Sequence, residues 1–245
     1  MNKIRNAIGA GLSAAQSLAS AIGRDAGLTV VQDSDAHPCI DMDKRIIYTP
    51  ILPEAGLSAD DMDIARAYLS HEIAHDRFTA DALTARPGIE SRSRSDKMFH
   101  GILNGVEDAR IDTLMQKNFP GSGASIRRTT TADFERVKSN ASDIPTDCDP
   151  NDIVPAFVRY AGEGITTADE ILESFPTVRK LFDPIADELR DLPDAVRRND
   201  VDAIFDIATR IADKIGQGQG QDGQGQDGEQ DEQDGQGQGQ GQDGE

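Results

Sequence analysis

The sequence predicts an α+β fold, mostly α-helical, with a small N-terminal antiparallel sheet, and three observations carry that prediction. After Ser58, apolar residues recur every three or four positions over long stretches, the spacing of helices with one buried face. Short apolar runs bounded by turn residues occur between Leu28 and Tyr48, the pattern of strands. From Gly216 to Glu245 the chain is only Gly, Gln, Asp and Glu, which supply no apolar area to offset chain entropy.

The elements follow in order. In residues 1–27, Ile4, Ile8, Leu12, Ala15, Leu18 and Ile22 recur at helical spacing, while Gly9, Gly11, Ser13, Gln16, Ser17 and Ser20 make the stretch too polar for the core of a signal peptide. An amphipathic helix covering another element is the expectation. Residues 28–120 form the next unit. Leu28 to Val31 and Arg45 to Tyr48 read as strands, with Asp41 to Lys44 as a hairpin turn and Pro50 and Pro53 as the stop. Ser58 to Asp61 offers a capped helix start, with helical spacing from there to about Phe78. A second helix fits Ser95 to Lys117, halted by Pro120 and Gly121.

Residues 121–149 are rich in Gly, Ser, Thr and Pro and read as an irregular connection, with Ala132 to Lys138 as a short helix. Residues 150–215 read as helical hairpins: Pro150 suits a first turn, Thr167 to Glu170 forms a capping box, and Val178 to Leu189 and Val201 to Ile215 carry core stripes. Residues 216–245 are an acidic tail expected to be disordered and self-repelling.

Composition narrows the function classes. There are 44 acidic and 25 basic side chains; removing the tail's 8 acids from the net charge of −19 leaves −11 on the rest. That charge repels a phosphate backbone, and the basic run from Arg86 to Lys97 is too short to reverse it, which argues against a nucleic-acid partner. No apolar run has the length of a membrane span, so no membrane partner is expected. Cys39 and Cys148 lack a CxxC spacing and read as free thiols in a reducing, cytoplasmic setting.

One motif carries chemistry. His71-Glu72-Ile73-Ala74-His75 lies inside the first long helix, a rare match in a chain with 4 histidines. Residues four apart sit one turn up on one face, so the two imidazoles can converge on one metal ion while Glu72 reaches an activated water as general base. At about 100° per residue, His71 and His75 share a stripe with Ile64, Ala67, Tyr68, Ala74 and Phe78, so both are expected to face inward.

A third ligand is expected from the second long helix. Glu107 lies amid the apolar face of Leu103, Ile111 and Leu114, whereas Asp108 and Asp112 are turned away from it. A carboxylate buried there needs a partner, either the metal or an arginine, and Arg110 is the arginine in reach. Asn104, His100 and Asp108 are placed around the ligands rather than among them.

HEIAH followed by a helix reading NGVEDARIDTLM resembles zinc-dependent metallopeptidases of the gluzincin kind. The Glu107-Asp-Ala-Arg-Ile-Asp112 stretch is similar to the N-terminal region of CobT-type cobaltochelatase subunits and their phage-encoded relatives. The resemblance covers residues 28–117 and, loosely, the acidic tail. It implies a zincin-like helix pair with Zn²⁺ on His71, His75 and Glu107, Glu72 as base, and Arg45, Ile46, Ile47 and Tyr48 as an edge strand that pairs with a peptide or protein substrate. In such proteins the acidic linker leads to a von Willebrand A domain with a DxSxS motif, which works with a MoxR-type AAA+ ATPase; DxSxS does not occur here. Two functions follow as expectations: a zinc metallopeptidase-like hydrolase, or a non-catalytic metal-binding adaptor for an AAA+ or von Willebrand A partner.

Overall fold

In the computed structural model, helix α1 (Ala59–Ala74) starts at the cap the sequence offers. Ser58 Oγ accepts from the Asp61 amide and the Asp61 carboxylate accepts from the Ser58 amide, so two end donors are satisfied reciprocally. The structure describes residues 15–23, 27–33, 38–50, 58–79, 86 and 88–219. Residues 15–22 are helical, with Ala19 and Ile22 buried. Residues 1–14 and 24–26 of the expected N-terminal helix, and most of the acidic tail, lie outside the described residues.

Strands β1 (Thr29–Asp33), β2 (Cys39–Asp41) and β3 (Ile46–Pro50) form one sheet in the order β1-β3-β2. β2 and β3 make the expected hairpin, with Ile40 opposite Ile47 and the Lys44 amide donating to Asp41 Oδ1. β1, however, runs parallel to β3, with Val30 opposite Ile47, so the sheet is mixed rather than purely antiparallel. The pattern of apolar residues determines which side chains face the core; it says nothing about which strand lies beside which. This order corrects one functional expectation. Ile46, Ile47 and Tyr48 belong to the central strand, paired on both sides, and have no free edge to offer a substrate.

A short helix not expected from the sequence, α2 (Ile89–Ser95), precedes the second expected helix, α3 (Lys97–Asn118); Asp96 separates them, and its carboxylate caps α3 by accepting from the Phe99 amide. α4 (Pro120–Ser139) then runs through most of the segment expected to be irregular. Its Gly-Ser-Gly-Ala-Ser start has poor helix propensity, yet Pro120 suits the first turn and Ile126 and Phe134 are buried. Gly123 shows why the composition looks loop-like: a Cβ there would meet the Gln116 Cα at 2.2 Å. Tertiary packing overrides propensity here.

α5 (Pro150–Gly162) is capped by Asp149, which accepts from the Asn151 amide. α6 (Ala168–Ser174) is capped by Thr167, but the Glu170 carboxylate turns to Thr166 and Lys138, so the capping box is only half made. α7 (Arg179–Phe182), α8 (Ala186–Arg198) and α9 (Val201–Gln219) complete the described chain, and α9 carries the helix past Gly216 into the start of the tail.

Two apolar clusters share α3. The larger joins Phe99, Ile102 and Val106 to α5–α9; the smaller joins Ile111 and Met115 to α1, the sheet and residues 15–22. Among the described residues no helix is long and apolar enough to cross a membrane.

Candidate metal centre

The last turn of α1 carries His71 and Glu72, and the chain then widens into a π-helical turn, His75–Thr79. One ion pair and one arginine-to-carbonyl hydrogen bond, both partly buried, hold that turn. Arg45 donates through Nε and Nη2 to Asp76 at 2.9 and 3.0 Å, which ties the β2–β3 turn to the helix and commits the Arg45 side chain away from any substrate. Arg45 adopts a φ of 55°, strained for a non-glycine residue, and this ion pair helps hold it there. Arg110 Nη2 donates to the Phe78 carbonyl at 2.8 Å. One side of α1 differs from expectation: Ile64 and Tyr68 are 42% and 48% exposed, while Ala67, Leu69, Ile73 and Ala74 face the core.

The two imidazoles do converge. Their ring centroids are 4.8 Å apart. His71 Nδ1 lies 2.9 Å from Asp112 Oδ1; an ionised carboxylate only accepts, so Nδ1 carries a proton. His75 Nδ1 lies 3.0 Å from Thr79 Oγ1, a contact set by the π turn. Both Nε2 atoms point to Asp108 Oδ1, at 3.6 Å from His71 and 3.4 Å from His75.

The third position therefore falls to Asp108, and the expectation for Glu107 is corrected. Glu107 is buried with both oxygens on Arg110, at 2.6 and 2.7 Å, and Arg110 also donates to Asn199 Oδ1. The pairing with arginine is the one that occurs. Asn104 and His100 are also elsewhere: both are exposed, bonded to one another, with His100 Nδ1 2.7 Å from Ser93 Oγ. Asp112 and Arg159 belong to the site and were not singled out from sequence. The signal for Asp112 was its spacing, since Asp108 and Asp112 stand four apart just as His71 and His75 do. Arg159 left no local signal; it comes from α5 and donates to Asp108 Oδ2 at 3.3 Å and Asp112 Oδ2 at 2.6 Å.

The electrostatics match this network. Burial opposes charge on His71, but Asp112 and Asp108 outweigh it and push the imidazole up to about 9. Burial alone would raise Asp108, yet His71, His75 and Arg159 hold it well below the usual carboxylate range. Asp112 is held low in the same way by His71 and Arg159. Glu72, 7% exposed, is raised by burial, with His71 and His75 opposing. Asp108 and Asp112 thus share the Arg159 guanidinium and the His71 imidazole between them.

Among the described residues, His71, His75 and Asp108 form a group whose ligand atoms all lie within 4.8 Å of one another, and it can hold a metal ion. Its donors, two imidazole nitrogens and one carboxylate oxygen, suit a divalent cation of intermediate softness. Each imidazole is steadied through its other nitrogen, as metal-holding histidines generally are. Beside it opens a cleft of ≈ 230 Å³, walled by Ala67, Tyr68 and Glu72 of α1, Ile126 and Thr130 of α4, and Arg159. Comparisons of the chain with protein-family models, curated proteins and solved structures give no match.

Proposed function

We propose that this chain is a zinc-dependent, metallopeptidase-like hydrolase, with Zn²⁺ held by His71 Nε2, His75 Nε2 and Asp108 Oδ1. The observation that carries the reading is the convergence of those three atoms beside a buried glutamate on the wall of a cleft. Three protein ligands leave a coordination position open, which a purely structural zinc site normally fills with a fourth. A zinc ion there supplies a Lewis acid for a carbonyl oxygen and lowers the pKa of water at the open position.

The chain's own residues do the rest. Glu72 takes the proton of the attacking water and hands it to the leaving amine; burial raises its carboxyl toward working pH, where a base of this kind is most effective. Asp112 and Thr79 keep His71 and His75 from turning. Ala67, Tyr68 and Ile126 give the cleft apolar walls that exclude water around an extended peptide or protein segment. β2 is bonded to β3 alone within the sheet, and Pro38, just before it, reaches the cleft, so the strand for a peptide to pair with is β2 rather than Arg45 to Tyr48.

The test is metal analysis with a hydrolysis assay on unstructured protein. Wild-type protein should carry about one zinc per chain and cleave, while Glu72→Gln should keep the zinc and lose ~10²–10⁴-fold in rate. Zinc without any cleavage by the wild type would favour the adaptor for an AAA+ or von Willebrand A partner. No metal at all would defeat both readings.

A further inference from the structure

Two arginines, buried Arg110 of α3 itself and half-buried Arg159 of α5, bind the carboxylates of α3 in different ways. Arg110 spends Nε and Nη2 on the two oxygens of one partner, Glu107, the fork-to-fork pairing of a structural ion pair. Arg159 sends each of its three nitrogens to a different carboxylate: Nη1 to Asp108 Oδ2 at 3.3 Å, Nη2 to Asp112 Oδ2 at 2.6 Å, and Nε to Glu163 Oε1 at 3.0 Å.

The oxygens it leaves are the telling ones. Asp108 Oδ1 is the atom that faces both Nε2 nitrogens, and Asp112 Oδ1 is the atom on His71 Nδ1. Each aspartate is thus divided, with Oδ2 on the guanidinium and Oδ1 on an imidazole. A carboxylate's terminal torsion is soft, so Asp108 has no intrinsic preference for this rotation. Two anionic side chains four apart on a helix also repel. One planar cation bridging the two Oδ2 atoms removes both problems, and a lysine ammonium, a single point donor, cannot reproduce the spread of its fork.

The backbone is arranged for this reach. Arg159 lies 51 and 47 positions from Asp108 and Asp112, on α5, and α5 lies against α3 through small residues. A Cβ at Gly105 would lie 2.4 Å from the Pro155 carbonyl oxygen, and one at Gly162 would lie 2.7 Å from the Ala109 Cβ. These close approaches fall within a turn or so of Asp108 and Arg159 along their helices.

We propose that Arg159 is the positioning residue of the metal centre: by taking Oδ2 of Asp108 and of Asp112 it fixes Oδ1 of one toward the metal and Oδ1 of the other on His71. The proposal rests on His71, His75 and Asp108 being a metal-holding set. It assigns Arg159 no contact with substrate.

The test uses the full chain, with Zn²⁺ affinity measured by chelator competition and coordination read from the visible absorption of bound Co²⁺. Arg159→Met and Arg159→Lys should each weaken zinc ~10–100-fold, the usual cost of losing a group that orients a ligand, and should alter the Co²⁺ spectrum. Gly105→Ala, which keeps every charged residue but pushes α5 from α3, should shift both readouts in the same direction. Phe182→Ala, which destabilises the aromatic core from α7, should shift neither. In an Asp112→Asn background Arg159→Lys should cost less than in the wild type, because the two act through one contact.

If Arg159→Met does not fold, Arg159→Lys and Gly105→Ala decide the matter. Wild-type affinity and spectrum in the folded Arg159 variants would overturn this proposal and leave the metal reading standing. Failure of the wild type to bind either ion would overturn both.

Discussion

The aromatic core and the metal centre share α5, where Phe157 and Tyr160 stand beside Arg159, and they are built on opposite terms. In the core, Phe134, Phe157, Tyr160, Phe175 and Phe182 meet with ring centroids 4.7–6.2 Å apart, and Phe157 touches three of the others. In the centre, His71, Asp108, Asp112, Arg159 and Glu163 crowd polar and charged atoms together on the edge of a cleft, Asp112 fully buried and Arg159 partly exposed. Apolar burial stabilises whatever the exact partner, whereas each buried charge is tolerated only while its partner stays in place. The core therefore supplies stability, and the centre draws on it. Drawing these charges together costs desolvation, and a divalent ion that binds only the folded state would add stability.

That contrast can be broken by experiment. The largest effect on folding should come from the core: Phe157→Ala is expected to cost ~3–5 kcal/mol by urea denaturation at every pH, from lost transfer energy and the cavity left behind. A cost below ~1 kcal/mol would show that the cluster is not the stabilising half.

Next come two adjacent carboxylates on α3. Glu107→Ala strands the buried Arg110 charge and should cost ~3 kcal/mol or more while leaving zinc per folded chain unchanged. Asp108→Ala should lose the zinc. The reverse pattern in metal content would restore Glu107 as the third ligand and invert the comparison.

A smaller effect is expected from Glu163, whose Oε2 is buried without a hydrogen-bond partner. Burial and Asp112 push its carboxyl up to about 8 from an ordinary 4.5. The folded state thus prefers the protonated form, so this contribution is complete below the ordinary value and is lost as pH rises through about 8. In chelator, wild-type stability should fall between roughly pH 4.5 and 8, and Glu163→Gln should flatten that fall by on the order of 1 kcal/mol. An unchanged slope would mean that Glu163 is not strained by its surroundings. The smallest effect is at the tail: removing residues 220–245 should move Tm by less than about 1 °C, because Gly, Gln and acids bring no apolar area to the fold.

Much of this was legible in the chain itself, where the controlling interactions are local. Ser58 and Asp61 lie within one turn, so the start of α1 could be read, and with it the placement of His71, Glu72 and His75 on one helix. Asp41 to Lys44 reads as a hairpin for the same reason, and the Thr167 cap came out with half of its box. The helix of Pro120–Ser139 was hidden because its glycines serve close packing, which composition cannot distinguish from a loop.

By itself, the sequence determined the mostly helical class, the paired imidazoles with a glutamate between them, and the carboxylate-rich helix that answers them. Only the tertiary structure decided that β3 is the central strand, that Asp108 rather than Glu107 faces the histidines, and that Arg159 joins the site. The physical reason lies in α3. Angular position on a helix selects a residue's fate when one face is buried, but α3 packs against α1, α4, α5 and α9 and buries Glu107, Arg110 and Asp112 alike. Burial then says only that each charge needs a partner. Which partner it gets depends on which helix is brought alongside, and here α5 brings an arginine to the aspartates while Glu107 already has its own one turn away.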